Sequence, residues 1–217
     1  MKDSEKLSIE LEARNRRMLE FFDRKADGYD DVHLKMMDNK SVIADALPPN
    51  TEKILDLGIG TGLELIPIYE KFPDIEVTGI DISEKMLNEL EKRSFMGKLN
   101  LICADFFSAE YGVNYNAVIS SAALHHFDEN GKARLYKKIF DCLTPCGVFI
   151  NSDRFVNTQE EQDALIREYI ATPDLYPHMD TPLTPENETM LLKAAGFTDI
   201  NFKTLPDERY KLLTAKK

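Results

Sequence analysis

The chain has no tryptophan, only three cysteines among 217 residues, and no long apolar run. Each absence excludes something. Cys103, Cys142 and Cys146 cannot build the disulfide framework of a small secreted domain. Cys142 and Cys146 are four apart, but no neighbouring Cys or His completes a zinc set. The apolar runs fall far short of a membrane span. The opening Met1-Lys2-Asp3-Ser4-Glu5-Lys6 is charged where a signal peptide needs an apolar core. Positive charge is also scarce: Lys+Arg 27 against Asp+Glu 38 leaves a formal charge of −11. Such a chain has no general attraction to phosphate backbones or anionic lipid. Together these absences predict a soluble, cytoplasmic protein with reduced thiols, no nucleic-acid partner and no membrane partner. They leave room for a homo-oligomer.

The charge is unevenly placed. From Asn151 to Thr189 there are nine acids, Asp153, Glu160, Glu161, Asp163, Glu168, Asp174, Asp180, Glu186 and Glu188, against Arg154 and Arg167. This stretch carries −7 of the −11. It reads as a solvated, solubilising face, or else as a field that favours cationic or amine-bearing ligands.

What is present is an ordinary globular balance, 43% apolar and 30% charged, of a length that suits one generous α/β domain. Strand and helix patterns alternate along the chain, as in a parallel sheet with crossover helices. Leu7, Leu11, Met18 and Phe22 recur on one face of an N-terminal helix. A second helix is expected over Leu34–Leu47, stopping before Pro48-Pro49. Strands are expected at Lys53–Leu57, Ile75–Ile80, Leu99–Ala104, Ala117–Ser120 and Gly147–Asn151, with a closing hairpin of Asp199–Leu205 and Tyr210–Ala215. Ser83 and Thr184 have the character of helix N-caps, with Pro185 at the first helical position. Thr158 and Glu161 form a capping-box pattern, and Gly196 suits a left-handed helix stop. Pro67, inside the Leu65–Phe72 helical pattern, predicts a kink or a late start. Tyr136, Ile139, Phe140 and Leu143 repeat at helical spacing.

The most informative segment is Ile54-Leu55-Asp56-Leu57-Gly58-Ile59-Gly60-Thr61-Gly62. A strand entering a glycine turn and then a helix presents backbone N–H groups to a ligand outside the strand ends. A dinucleotide fingerprint would need its third glycine at position 63, which is Leu63, and this argues against a hydride-transferring dehydrogenase. The pattern is D-x-G-x-G-x-G instead. Asp81 ends the next strand, where a carboxylate can accept both ribose hydroxyls, so the ligand is expected to be a nucleoside. Asp105 and Phe106 end the third strand, an acid for an exocyclic amine and an aromatic for a purine ring.

These residues resemble class I S-adenosylmethionine-dependent methyltransferases, specifically the small-molecule, type 11/12/25-like group whose fourth strand ends in an A-L-H-H-type sequence. The resemblance runs from about Phe21 to Phe197. It implies an α/β, Rossmann-like fold with a seven-stranded, mostly parallel sheet, helices on both faces, an antiparallel last strand and an N-terminal helical cap. It implies one domain over 1–217: a cap over 1–50, a cofactor-binding core over 51–150, and a substrate-side insertion with the C-terminal hairpin over 151–217. It implies S-adenosyl-L-methionine as cofactor. Asp56, Gly58, Gly60 and Gly62 would hold the methionine part and Asp81 the ribose. Ile82, Met86, Asp105 and Phe106 would surround the adenine, and Ser120 and Ser121 would line the sulfonium side. One departure is Cys146, standing where the family has a turn glycine.

The expected reaction is in-line methyl transfer to a small-molecule acceptor, for which the protein supplies alignment and electrostatics. His126 and His125, after the fourth strand, are candidate bases. Tyr29, in the Phe21–Asp30 cap segment, is a candidate for contact with the sulfonium or the acceptor. His33 belongs to the same cap. Ser120-Ser121-Ala122-Ala123 lacks the Asn/Asp-Pro-Pro-aromatic motif of amino-methylating nucleic-acid enzymes. Ser120 also lacks the strand-end acid of metal-dependent catechol-type enzymes, so no metal is expected. No two-glutamate loop of the protein-arginine type is visible. The alternatives are a non-catalytic S-adenosylmethionine-binding protein and an enzyme that modifies the cofactor itself.

Overall fold

The computed structural model describes residues 16–34, 37–95, 97–171 and 180–217. Leu7, Leu11 and Asp174 lie outside them. Helices α1 (residues 16–25), α2 (Tyr29–His33) and α3 (Met37–Ala46) precede strand β1 (Lys53–Leu57). There follow α4 (Leu65–Lys71), β2 (Glu76–Asp81), α5 (Glu84–Glu91), β3 (Lys98–Cys103), β4 (Tyr115–Ser121) and a 3-10 turn, Leu124–His126. The chain closes with α6 (Glu129–Cys142), β5 (Leu143–Arg154), α7 (Gln159–Ala171), α8 (Pro185–Ala195), β6 (Thr198–Thr204) and β7 (Tyr210–Lys216).

The seven strands form one sheet in the order β3-β2-β1-β4-β5-β7-β6. Pairs among β1 to β5 are parallel, and β7 runs antiparallel to both β5 and β6. The strand order reverses between β1 and β4, and a crevice outside the carboxyl ends of the strands forms at such a switch point. Strand alternation divides the core between the two faces of the sheet. Leu55, Leu57, Val118 and Phe149 pack with Leu135, Ile139 and Leu192 on one side. Ile54, Ala117, Ile119 and Ile150 pack with Ile43, Leu65, Ile68 and Leu90 on the other. Helices on both faces bury the central strands, and β3 is left as a half-exposed edge.

The local signals act as expected at several ends. Ser83 Oγ accepts the Met86 N–H and Thr184 Oγ1 accepts the Asn187 N–H. Gly196 closes α8 at φ 112. Pro67 sits in the first turn of α4, where its missing N–H leaves no bond unmade. Among the described residues α3 covers Met37–Ala46, within the expected Leu34–Leu47 span. One boundary moved. Leu143, which the helical period assigned to α6, is the first residue of β5, because the chain turns directly from helix into the sheet. Cys146 takes φ 65, the left-handed conformation of the glycine it replaces.

Candidate active site

Gly58, Gly60 and Gly62 all have positive φ, at 81, 50 and 70. A Cβ on Gly58 would stand 2.5 Å from the Ala123 Cβ, and one on Gly62 would stand 2.4 Å from Leu90 Cδ1. A Cβ on Gly60 would meet only the Gly58 carbonyl, at 3.9 Å. The outer glycines therefore let the turn pack against α5 and the β4 end, and the middle one leaves a cradle that a side chain would fill. This open backbone fits the close approach of a nucleoside-linked ligand.

The turn forms one wall of a cleft. Gly58, Gly60, Gly62, Asp81, Ile82, Met86, Asp105, Phe106, Ser121 and His126 all line it, as do Tyr29 and Phe22 from the cap. Asp81 accepts the Gly60 N–H at 2.9 Å and the Ser83 N–H at 2.9 Å. Burial pushes its pKa up to about 6, against the opposing pull of those N–H groups. Asp105 accepts the Phe107 N–H at 2.8 Å, which fixes the turn carrying Phe106.

Two residues of the expected set do not reach the cleft. Ser120 is fully buried and donates its hydroxyl to the Leu57 carbonyl at 2.7 Å, tying β4 to β1. Asp56 is fully buried behind the turn, and neither carboxylate oxygen has a hydrogen-bond partner among the described residues. Burial first, and the Glu64 charge second, push its pKa far above the usual carboxylate range. In front of it Lys40 binds Glu64 Oε2 at 2.9 Å and Ser121 Oγ at 3.2 Å, and both ions line the cleft. Burial opposes the Lys40 charge, but Glu64 outweighs it and raises the pKa of the ammonium group. The sequence reading missed this pair, because a lone lysine on an amphipathic helix looks like a surface residue.

A second cleft adjoins the first. It is lined by Phe21, Lys25, His33, Asn39, His125, Ser152 and Tyr210, and it shares Phe22, Tyr29, Lys40, Ser121, Ala122 and His126 with the first. Ala122 holds φ 53, a left-handed conformation that a non-glycine residue adopts at a cost of about 1–3 kcal/mol and that clusters at functional sites. That turn delivers the histidine pair. His125 Nδ1 lies 2.5 Å from Asp153 Oδ1, and His126 Nδ1 lies 2.9 Å from Asp180 Oδ1. Tyr29 stacks on His33 with ring centroids 3.8 Å apart. Burial raises the pKa of the Tyr29 phenol, with Lys40 pulling the other way, so the hydroxyl keeps its proton at neutral pH.

A methyltransferase-domain family profile matches residues 54–147, the span that holds the glycine turn, Asp81, Asp105 and the histidine pair. That span is similar to a methyltransferase domain, and the fold is that of the class I S-adenosylmethionine-dependent methyltransferases. It is similar to carboxy-S-adenosyl-L-methionine synthase of Nautilia profundicola, 26% identical over 167 residues, 69% of this chain and 70% of that one. It is 27% identical to phosphoethanolamine N-methyltransferase of Plasmodium falciparum over 176 residues, 80% of this chain and 64% of that one. The human N-acetylserotonin methyltransferase structure in complex with S-adenosylmethionine superposes with a TM-score of 0.69 at 19% identity, covering 90% of this chain and 55% of that one. The chain thus spans between about half and about two thirds of the length of these relatives.

The N-terminal helices are bound to the core by polar contacts distant in sequence. Thr61 in the glycine turn donates to Asp30 at 2.7 Å, and Arg93 pairs with Asp30 and donates to the Thr61 carbonyl at 2.7 Å. Ser83 donates to Asp23 at 2.6 Å, and Ser152 donates to the Asn39 carbonyl at 2.5 Å. None of these pairs has a local sequence signal.

The acidic stretch divides once folded. Asp153 and Glu188 are buried and face His125 and Lys132. Asp180 is held by Arg154 at 3.1 Å beside His126. Glu160, Glu161, Asp163, Glu168 and Glu186 face solvent. No acid of the stretch, among the described residues, lines either cleft. Among the described residues no helix is long and apolar enough to cross a membrane.

Proposed function

We propose that the protein transfers a methyl group from S-adenosyl-L-methionine to a small-molecule acceptor seated in the second cleft. The observation that carries this reading is the shared partition: Phe22, Tyr29, Lys40, Ser121, Ala122 and His126 border both clefts. A donor in one cleft and an acceptor in the other would meet across it, and alignment of this kind supplies most of the rate. Bound S-adenosylmethionine contributes a methyl group already activated on a sulfonium. Gly58, Gly60 and Gly62 would admit its methionine part to the backbone, with Lys40 and Glu64 opposite the carboxylate and ammonium. Asp56 would act from behind them, and Ser120 through the strand it braces. Asp81 would accept the ribose hydroxyls, and Ile82, Met86, Asp105 and Phe106 would enclose the adenine.

Tyr29, His125 and His126, which line the second cleft, would contact the acceptor. The second cleft pairs cationic and neutral side chains, Lys25, Lys40, His33, Asn39 and Tyr210, with no carboxylate among the described residues. That lining suits an acceptor that is neutral or anionic. Isotopically labelled methyl donor and pools of metabolites test the reading: it requires label in an acceptor and one S-adenosylhomocysteine per transfer. Tight binding of the donor with no turnover in any pool would leave a non-catalytic binder. The similarity to a carboxy-S-adenosyl-L-methionine synthase favours one second reading, modification of the cofactor itself. The mass of the recovered cofactor separates the two.

A further inference from the structure

We propose that His125, His126 and Asp180 bind a divalent first-row transition-metal ion beside the second cleft. One donor atom from each residue falls within 4.8 Å of the others, and all three residues are buried, at 7%, 8% and 9% exposure. The site joins two distant parts of the chain, the 3-10 turn after β4 and the segment before α8. The Thr181 N–H, bonded to the His125 carbonyl at 2.6 Å, locks them together.

The orientation of His125 makes the case. Asp153 Oδ2 accepts the Leu124 and His125 backbone N–H groups at 2.9 and 3.0 Å. Its Oδ1 accepts the Arg154 N–H at 2.8 Å and faces His125 Nδ1 at 2.5 Å. A carboxylate is acceptor-only, so Nδ1 carries the hydrogen and Nε2 is the ring atom turned away from Asp153. Nε2 then faces Asp180 Oδ1 at 3.7 Å. That is too long for a hydrogen bond. It is near the spacing of two adjacent ligands on one ion, about 3.0–3.4 Å for bonds of about 2.1 Å. His126 Nδ1 lies 2.9 Å from the same oxygen. Arg154 engages the other oxygen, Oδ2, at 3.1 Å, and so orients Asp180 for a single-oxygen contact. A carboxylate on the far nitrogen of a ligating histidine is the usual outer partner in metal sites.

Two imidazoles and one carboxylate select zinc, iron(II), cobalt(II) or manganese(II) over magnesium or calcium. The site differs from the strand-end position of Ser120, where the absence of an acid spoke against a metal. Both histidines line the second cleft. The ion would therefore be within reach of an acceptor heteroatom, a role that rests on the methyl-transfer reading above.

Zinc and cobalt(II) binding to the intact protein test the proposal. After chelator treatment and dialysis, we expect one zinc per chain by elemental analysis and a visible cobalt d–d spectrum on titration. His125→Ala and Asp180→Asn should each lose the cobalt spectrum and weaken zinc binding at least 10-fold. The affinity for S-adenosylmethionine in calorimetry serves as the folding control, and His33→Ala should keep the metal. Substoichiometric zinc and no cobalt spectrum in wild-type protein that still binds the cofactor would overturn the proposal. Metal binding without methyl transfer would sink only the proposed function, and equal turnover by protein that takes up no metal would sink only the metal.

Discussion

If Asp81 accepts the ribose hydroxyls as proposed, cofactor binding depends on pH. Its carboxyl titrates at about 6 because burial outweighs the Gly60 and Ser83 N–H bonds. Ribose hydroxyls donate best to the ionised form, so protonation competes with binding. If only the carboxylate binds, the apparent dissociation constant scales as one plus the ratio of protonated to ionised Asp81. It then rises about 10-fold from pH 7 to pH 5, equivalent to about 1.4 kcal/mol. Asp81→Asn removes the charge from two hydrogen bonds, each worth about 1.5–3 kcal/mol, and should weaken binding at neutral pH by at least about 10-fold. The variant should also lose the Asp81 part of the pH dependence, which separates it from titration of Asp56.

The unliganded protein should respond in the opposite direction. With a folded pKa above the unfolded value, the native state binds the extra proton. The Asp81 contribution to stability therefore falls as pH rises from the ordinary carboxylate range through about 6. Isothermal titration calorimetry with S-adenosylmethionine at pH 5, 6 and 7 measures the binding side. Equal slopes of affinity against pH in wild type and Asp81→Asn would refute the reasoning.

Three further outcomes follow from the packing. Glu188→Leu strands the Lys132 ammonium, 1% exposed, and the Tyr136 hydroxyl between α6 and α8. It should cost about 3–5 kcal/mol in urea unfolding, much of it recovered in Glu188→Leu/Lys132→Met. Gly58→Ala places a Cβ 2.5 Å from the Ala123 Cβ at φ 81; the left-handed strain alone costs about 1–2 kcal/mol, and calorimetry should show weaker cofactor binding as the wall shifts. Cys146→Gly relieves left-handed strain at φ 65 on an exposed side chain. That relief of about 1–2 kcal/mol exceeds the added chain entropy of about 0.5–1 kcal/mol, and the Tm should rise by about 2 °C.

Short-range physics was legible along the chain. The D-x-G-x-G-x-G turn needs three left-handed residues, and only glycine takes that conformation cheaply, so spacing alone separated it from a dinucleotide turn. Ser83, Thr184 and Gly196 cap helices through bonds within three or four residues, and their types announce it. The alternation of strands and helices, with the acids at strand ends, prescribed a doubly wound sheet.

Tertiary structure alone decided which charges face inward. Lys40 meets Glu64 and Ser121 across 24 and 81 residues, and His125 meets Asp153 across 28. Asp153, Asp180 and Glu188 read as members of one acidic surface until folding buried them against His125, Arg154 and Lys132. A side chain's burial and its partner's distance depend on how the elements pack, and composition and periodicity carry neither. The amino-acid order thus determined the glycine turn, the caps and the strand-end acids. The packed structure determined the ion pairs behind them, the partition between the two clefts and the carboxylates that orient the histidines.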